Sequence, residues 1–262
     1  MNHYQIIKYF YLSIILLFIT SCDISSLSDN EITDLSVIKA KIIIEETYSG
    51  SNIVKVFLSD GKKQIISKNI KVKLNGNLLE FWVINELYYS TKSYYTNLTT
   101  KPNEFCSEEK YLRSNSYYFE IILPDSTIYP LAYIKPINQI DIDNFKFSIP
   151  KSIPKNKDFI LQWQNLNFYP VLLTIDKHCK TKKIKEYNKT QSSKITRLQK
   201  TINSSKGKYF VPISFFEDSL TIAENLKIKF SYENTGLINP ELIKGSNISY
   251  KFILEKEVSL NK

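Results

Sequence analysis

From residue 37 onward, apolar and polar positions alternate with a period of two, the spacing of a half-buried β-strand. Ile38, Ala40, Ile42 and Ile44 form one set, with Lys39, Lys41 and Glu45 on the other face. Ile70, Val72 and Leu74 alternate with Lys71 and Lys73 in the same way. The pattern returns at Tyr117, Phe119, Ile121 and Leu123, at Leu226, Ile228, Phe230 and Tyr232, and at Ile248, Tyr250, Phe252 and Leu254. No long stretch carries the three-to-four spacing of an amphipathic helix. All six glycines lie between these sets, and Asp60-Gly61 and Asn75-Gly76 are dipeptides suited to the positive φ of a tight hairpin. Pro130, Pro170 and Pro212 lie in apolar runs and point to edge strands or strand starts, because proline has no amide hydrogen to give a ladder. The predicted fold class is all-β.

The stretch "YIKPINQIDIDNFKF", residues 133–147, interrupts the strand series with Pro136 and short polar spacing. About 100 residues fall on each side, with strands every 8 to 12 residues, the rhythm of a β-sandwich. The expected architecture is two tandem immunoglobulin-like β-sandwiches, over 37–136 and 137–262, with a single larger barrel as the rival. "DFILQWQ", in which Trp163 alternates in phase with Phe159 and Leu161, is expected to be a core strand of the second sandwich.

Before residue 37 the period is lost. "MNHYQIIK" is followed by the twelve mostly apolar residues "YFYLSIILLFIT", well short of the roughly 20 that span a bilayer. The block stops at "ITSC", Ile19 to Cys22, which resembles the lipobox of bacterial lipoproteins: an aliphatic residue, small residues, then cysteine. The resemblance implies a leader over 1–21, a diacylglyceryl group on the Cys22 thiol, and an acylated amino group at Cys22 after cleavage. Each buried methylene contributes about 0.8 kcal/mol, so several chains make attachment effectively permanent. The alternative is an ordinary secretory signal with a chance cysteine. "DISSLSDNEITDLS" then reads as a flexible tether, with 22–36 as the lipidated segment, reaching about 45 Å when extended.

Without Lys8 the 35 basic residues become 34, against 26 acids, a balance of +8 for residues 22–262. Only Arg113 and Arg197 are arginine and alanine occurs three times, a bias that fits an AT-rich genome. Nucleic-acid readers rely on arginine for bidentate contacts, so nucleic acid is not an expected partner. The charge is concentrated between Lys177 and Lys200, which hold nine basic residues and one acid, Glu186. This segment is expected to be a long strand connection, either a solvated loop or a patch at Lys180, Lys182, Lys183 and Lys185 that attracts an acidic glycan or partner.

A second candidate surface is "ELYYSTKSYYTN", where Tyr88, Tyr89, Tyr94 and Tyr95 flank a turn. One tyrosine of each pair is expected to face the core and the other to offer flat amphipathic area to a sugar or a protein. Cys106 and Cys179 can form a disulfide in an exported compartment, or stand as two free thiols. His178 beside Cys179 lacks the usual ligand spacing, so no metal site and no cofactor are expected. The same scarcity of histidine argues against a nucleophile-and-base pair, and no carboxylate pair stands out, so the expectation is not an enzyme. Asp125-Ser126-Thr127 and Asp218-Ser219-Leu220 resemble the short O-glycosylation sequon of Bacteroidota, making Ser126 and Ser219 candidates.

The layout of lipobox, tether and two sandwiches, with "SYYFEIILPDSTIYPLAYIKPI" and "SYENTGLINPELIKGSNISYKF", resembles lipoproteins of Bacteroidota, some of them associated with TonB-dependent outer-membrane receptors. The resemblance implies a lipid-anchored envelope protein, a non-enzymatic interaction or accessory module of an outer-membrane complex, anchored through Cys22. A glycan-binding surface lipoprotein is the alternative. Asp29 and Glu31 lie several residues past Cys22, where the group's surface-export signal tends to sit closer, so periplasmic and cell-surface display both stay open.

Overall fold

A computed structural model of the chain describes residues 27, 29–48, 52–65, 67, 69–82, 88–90, 114–150, 152–154, 158–181, 193–217 and 221–261. Its strands are β1 Lys39–Thr47, β2 Asn52–Ser59, β3 Lys71–Leu74, β4 Asn77–Leu78, β5 Glu80–Trp82, β6 Tyr88–Ser90, β7 Tyr117–Ile122 and β8 Ile128–Ile134. The short helix α1, Gln139–Asn144, follows. Then come β9 Lys146–Ser148, β10 Ser152–Pro154, β11 Phe159–Gln164, β12 Val171–Thr181, β13 Ser193–Ile202, β14 Gly207–Val211, β15 Thr221–Thr235, β16 Leu237–Ile238 and β17 Asn247–Asn261.

Three sheets hold these strands. Sheet A runs β13-β12-β15-β17-β1-β2-β6-β5, with β10 also beside β17; sheet B runs β16-β8-β7-β3-β4; sheet C runs β14-β11-β9. None closes on itself, so the fold is an all-β, sandwich-type arrangement and not a barrel. The period-two sets point inward as their spacing requires: Ile38 to Ile44, Ile70 to Leu74, Tyr117 to Leu123, Leu226 to Phe230 and Ile248 to Leu254 are buried at every second position. On β11, Phe159, Leu161 and Trp163 are buried and alternate with exposed residues. The Asn75-Gly76 turn has φ of 50° and 84°, the left-handed pair that lets β3 fold straight back on β4.

Sheet A backs both halves of the chain. Sheet B packs on its N-terminal part, where the Tyr117 hydroxyl of β7 donates to Glu46 of β1. Sheet C packs on its C-terminal part, where Phe147 of β9 meets Phe230 of β15 with ring centroids 5.2 Å apart. The expected boundary at 136/137 marks the crossing from sheet B to sheet C, but hydrogen bonding does not stop there. β16 pairs with β8, and β17 pairs in parallel with β1 at Lys41↔Asn247 and antiparallel with β15 at Asn225↔Ser259. One fifteen-residue strand therefore belongs to both layers of packing. The expected linker is itself structured, since α1 buries Ile142.

The expected tether is corrected over its second half. Asp29–Glu31 and Leu35–Val37 are 3₁₀ turns, and Ile32 and Leu35 lie in the core. Asp34 caps the second turn by accepting from Ser36 N at 2.7 Å. Asp29 accepts hydrogen bonds from Ser67 Oγ and Asn69 Nδ2, just ahead of β3. Three-residue turns carry neither a period of two nor of 3.6, and for that reason the pattern gives no sign of them.

Candidate functional site

The described parts of the basic segment, 177–181 and 193–200, are strand. β12 and β13 pair antiparallel from Val171↔Ile202 to Lys180↔Ser193, so the residues expected as a long connection form a hairpin at the edge of sheet A. On β12, the inward positions Val171, Leu173, Ile175, Lys177 and Cys179 are all buried. Lys177 is therefore not part of the basic surface: its Nζ donates to the Phe215 carbonyl at 2.5 Å and lies 5.1 Å from the centre of the Phe215 ring. The outer positions carry an ion pair, in which Arg197 Nε and Nη2 reach the two oxygens of Asp176 at 2.6 and 3.1 Å. Hydrogen bonding to Asp176, then its charge, raises the Arg197 pKa above its ordinary value. Along the same face Lys227 pairs with Glu255 at 2.6 Å, and Lys180 with Glu224 at 2.5 Å.

β13 is the outermost strand of sheet A, and Lys194, Ile195, Arg197, Gln199, Lys200 and Thr201 are exposed along it. Charged side chains on an outermost strand discourage indiscriminate strand pairing and at the same time give that edge a sign. Of the expected basic patch, Lys180 is exposed at the turn end of the hairpin, while Lys182, Lys183 and Lys185 lie outside the described residues. Sequence reasoning missed Lys194 and Lys200 as members of this edge; the signal was "SKITRLQK", whose alternation fits a strand.

Near the base of the hairpin, the turn between β13 and β14 frames a hollow of about 230 Å³, lined by Trp163, Lys200, Ser204, Gly207, Lys208 and Tyr209 among others. Trp163 is buried and its Nε1 donates to Ser204 O at 3.2 Å. Gly207 is required there, because a side-chain carbon at that position would overlap the Trp163 ring. The volume lies below the roughly 300–1,000 Å³ of sites that enclose a small molecule.

The outer face of sheet B is the other distinctive surface. Tyr118 stands opposite Tyr133, and Tyr133 opposite Leu237, while Tyr118, Leu237, Ile128 and Leu78 are exposed. Of the pair Tyr88 and Tyr89, Tyr89 is the one that faces the core and so leaves the candidate surface: it is buried, and its hydroxyl donates to Ile70 O at 3.1 Å. Burial, then the charge of Asp29, pushes its phenol well above the ordinary range. Its inward position follows from β6 pairing with β2 at Val56↔Tyr89. The Tyr88 side chain, Tyr94 and Tyr95 lie outside the described residues.

Cys179 is a buried free thiol, and Cys106 lies outside the described residues, as does Cys22. His178 Nε2 and Asn225 Oδ1, on residues paired across β12 and β15, are both withdrawn from solvent with no hydrogen-bond partner. Among the described residues no group of three or more His, Cys, Asp or Glu could hold a metal ion, and no helix is long and apolar enough to cross a membrane. Ser126 sits in an exposed turn at φ 73°, where Asp125 accepts from Thr127 N at 2.9 Å, and Ser219 lies outside the described residues. The Asp125 carboxyl is held below its ordinary range, first by that backbone hydrogen bond. No protein-family profile matches the chain, and no curated protein is significantly similar to it.

Proposed function

We propose that this chain is a lipid-anchored protein of the bacterial outer membrane, held through Cys22, whose immunoglobulin-like sandwiches act by binding as an accessory module of an envelope complex. The observation that carries the binding role is the β13 edge, ten residues long and lined by Lys194, Arg197 and Lys200. Such an edge attracts an acidic partner surface through its field and can register an extended segment through its backbone. The charged groups inside the molecule are engaged in internal contacts: Glu46 with Tyr117 and Tyr250, Lys177 with Phe215. Crosslinking in cells with identification of partners tests the role. Recovery of an outer-membrane protein such as a TonB-dependent receptor, lost when Lys194 and Lys200 are both changed to glutamate, supports it; unchanged recovery from that variant removes the β13 edge from the reading.

A second reading, binding of an acidic glycan, is favoured by the hollow over the buried Trp163, which Lys200, Lys208 and the half-buried Tyr209 line. Its size suits one sugar ring of a chain lying across the surface. An acidic polysaccharide should then retard the protein in affinity gels, and the Lys200→Glu, Lys208→Glu pair should abolish the retardation.

A further inference from the structure

We infer that the first sandwich meets the membrane end-on, through the turns around Gly61 and Gly245, and that the end of the β12–β13 hairpin carrying Lys180 and Lys194 stands at the far end of the molecule. This rests on the lipid anchor proposed above, and adds where that anchor holds the body. A tether running freely to residue 36 would allow about 45 Å of play. The fold withdraws most of it, because Leu27 packs against the core, Ile32 and Leu35 are buried within it, and Asp29 is hydrogen-bonded to Ser67 and Asn69. From Cys22 to Asp29 is seven residue steps, a reach of no more than about 25 Å.

The pinned residue lies at a defined end of the sandwich. β1, β3 and β17 start there and β2 finishes there, with Lys39 opposite Ser59 and Lys41 opposite Asn247. The turns at that end hold one another: Gly61 lies against the Ile243 side chain, and Ile243 N donates to Ile38 O at 2.9 Å. Lys62, Asn69, Glu241 and Lys244 are exposed there. This set carries both signs of charge and little apolar surface, which suits contact with lipid headgroups and not insertion among acyl chains.

The opposite end is distant. β17 runs fifteen residues, about 45 Å at roughly 3.3 Å each, and its Ser259 stands opposite Asn225. Lys180 and Lys194 lie beyond that level, through Lys180↔Ile222 and Cys179↔Lys194. A separation of about 45 Å exceeds several times the roughly 8 Å Debye length at physiological ionic strength. Lys180 and Lys194 are thereby offered to a partner across from the anchoring leaflet and lie outside the field of that leaflet's own headgroups.

The test uses acylated full-length protein carrying Cys106→Ser, with either Lys62→Cys or Lys194→Cys as the site for a fluorophore. Acylation occupies the Cys22 thiol, Cys179 is buried, and both substituted lysines are at the surface, so the fold is retained. In phosphatidylethanolamine–phosphatidylglycerol vesicles containing headgroup-nitroxide lipid, quenching should be at least threefold stronger at position 62 than at 194. Equal quenching, or stronger quenching at 194, overturns the orientation. Inserting twelve Gly/Ser residues after Ser25 should shrink the contrast at least twofold, and an unchanged contrast also overturns it. Failure of labelled palmitate to enter the chain is read separately and overturns the anchor itself.

Discussion

Among the described residues, the N-terminal and C-terminal parts of sheet A each place one buried charge-bearing side chain, of opposite kinds, at an inward strand position where the alternation calls for an apolar residue. On β1 the series Ala40, Ile42 and Ile44 continues to Glu46, and on β12 the series Leu173 and Ile175 continues to Lys177, each 2% exposed. Their partners differ in kind. Glu46 accepts from Tyr117 of the facing sheet and from Tyr250 of the neighbouring strand, the latter at 2.7 Å. Lys177 donates to a backbone carbonyl and lies over a phenyl ring, both supplied by Phe215. Inside a sheet the backbone N–H groups are spent in the ladder, so a buried carboxylate takes its donors from side chains on other strands; a carbonyl has two lone pairs and can still accept from an ammonium. The first arrangement therefore ties β1, β7 and β17 together, while the second is local.

The strongest way to break this contrast is Glu46→Leu. It takes the acceptor from two buried hydroxyls at roughly 1–3 kcal/mol each, so urea unfolding should show a loss of about 2–6 kcal/mol. Adding Tyr117→Phe and Tyr250→Phe to the same chain should restore a large part, and no recovery would mean that the hydroxyls are not what Glu46 serves. Alkaline pH comes next. The Tyr89 phenol is raised above its ordinary value near 10, so the folded state holds a proton that the unfolded chain releases. Stability present below pH 10 should fall as pH climbs above it, and Tyr89→Phe should flatten that slope more than Tyr232→Phe, whose parent phenol is raised by partial burial alone.

Lys177→Met is expected to shift stability by only about 1 kcal/mol in either direction, since an apolar chain of similar length fills the space and strands one carbonyl. A loss matching that of Glu46→Leu would erase the distinction between the two sites. Smallest is Lys251→Ala, which removes an ion pair with Glu233 whose two side chains are 35% and 67% exposed and should cost less than about 1 kcal/mol in the same titration.

How far the sequence could be read follows from what each signal measures. A strand with one face in the core has a period of two, so β1, β3, β7, β11, β15 and β17 were visible as alternating sets. Continuing the β1 alternation by one step would have found Glu46, because the pleat dictates orientation whatever residue occupies the slot; Lys177 continues the Val171, Leu173 and Ile175 series of β12, an alternation hidden by the lysines that follow it. The docking of Leu27, Ile32 and Leu35 left no such trace, since 3₁₀ turns have no long repeat. The basic segment misled in another way: lysine density suggested a loop, whereas its described parts are the strands β12 and β13 and Lys177 points into the core. For the candidate surface, charge and exposure at Lys180 were legible, but the membership of Lys194, Lys200 and Lys208 depends on which strand lies outermost and where the β13–β14 turn brings its rim.

The sequence by itself determined the all-β class, the inward face of each long strand and the tight turn at Asn75-Gly76, because these are properties of neighbouring residues and of backbone sterics. Only the tertiary structure decided that β17 pairs with β1 and β15 at once, that Leu27, Ile32 and Leu35 dock on the core, and that the basic hairpin forms an edge. These depend on contacts between residues up to two hundred positions apart, such as Tyr250 with Glu46, for which no local pattern carries the information.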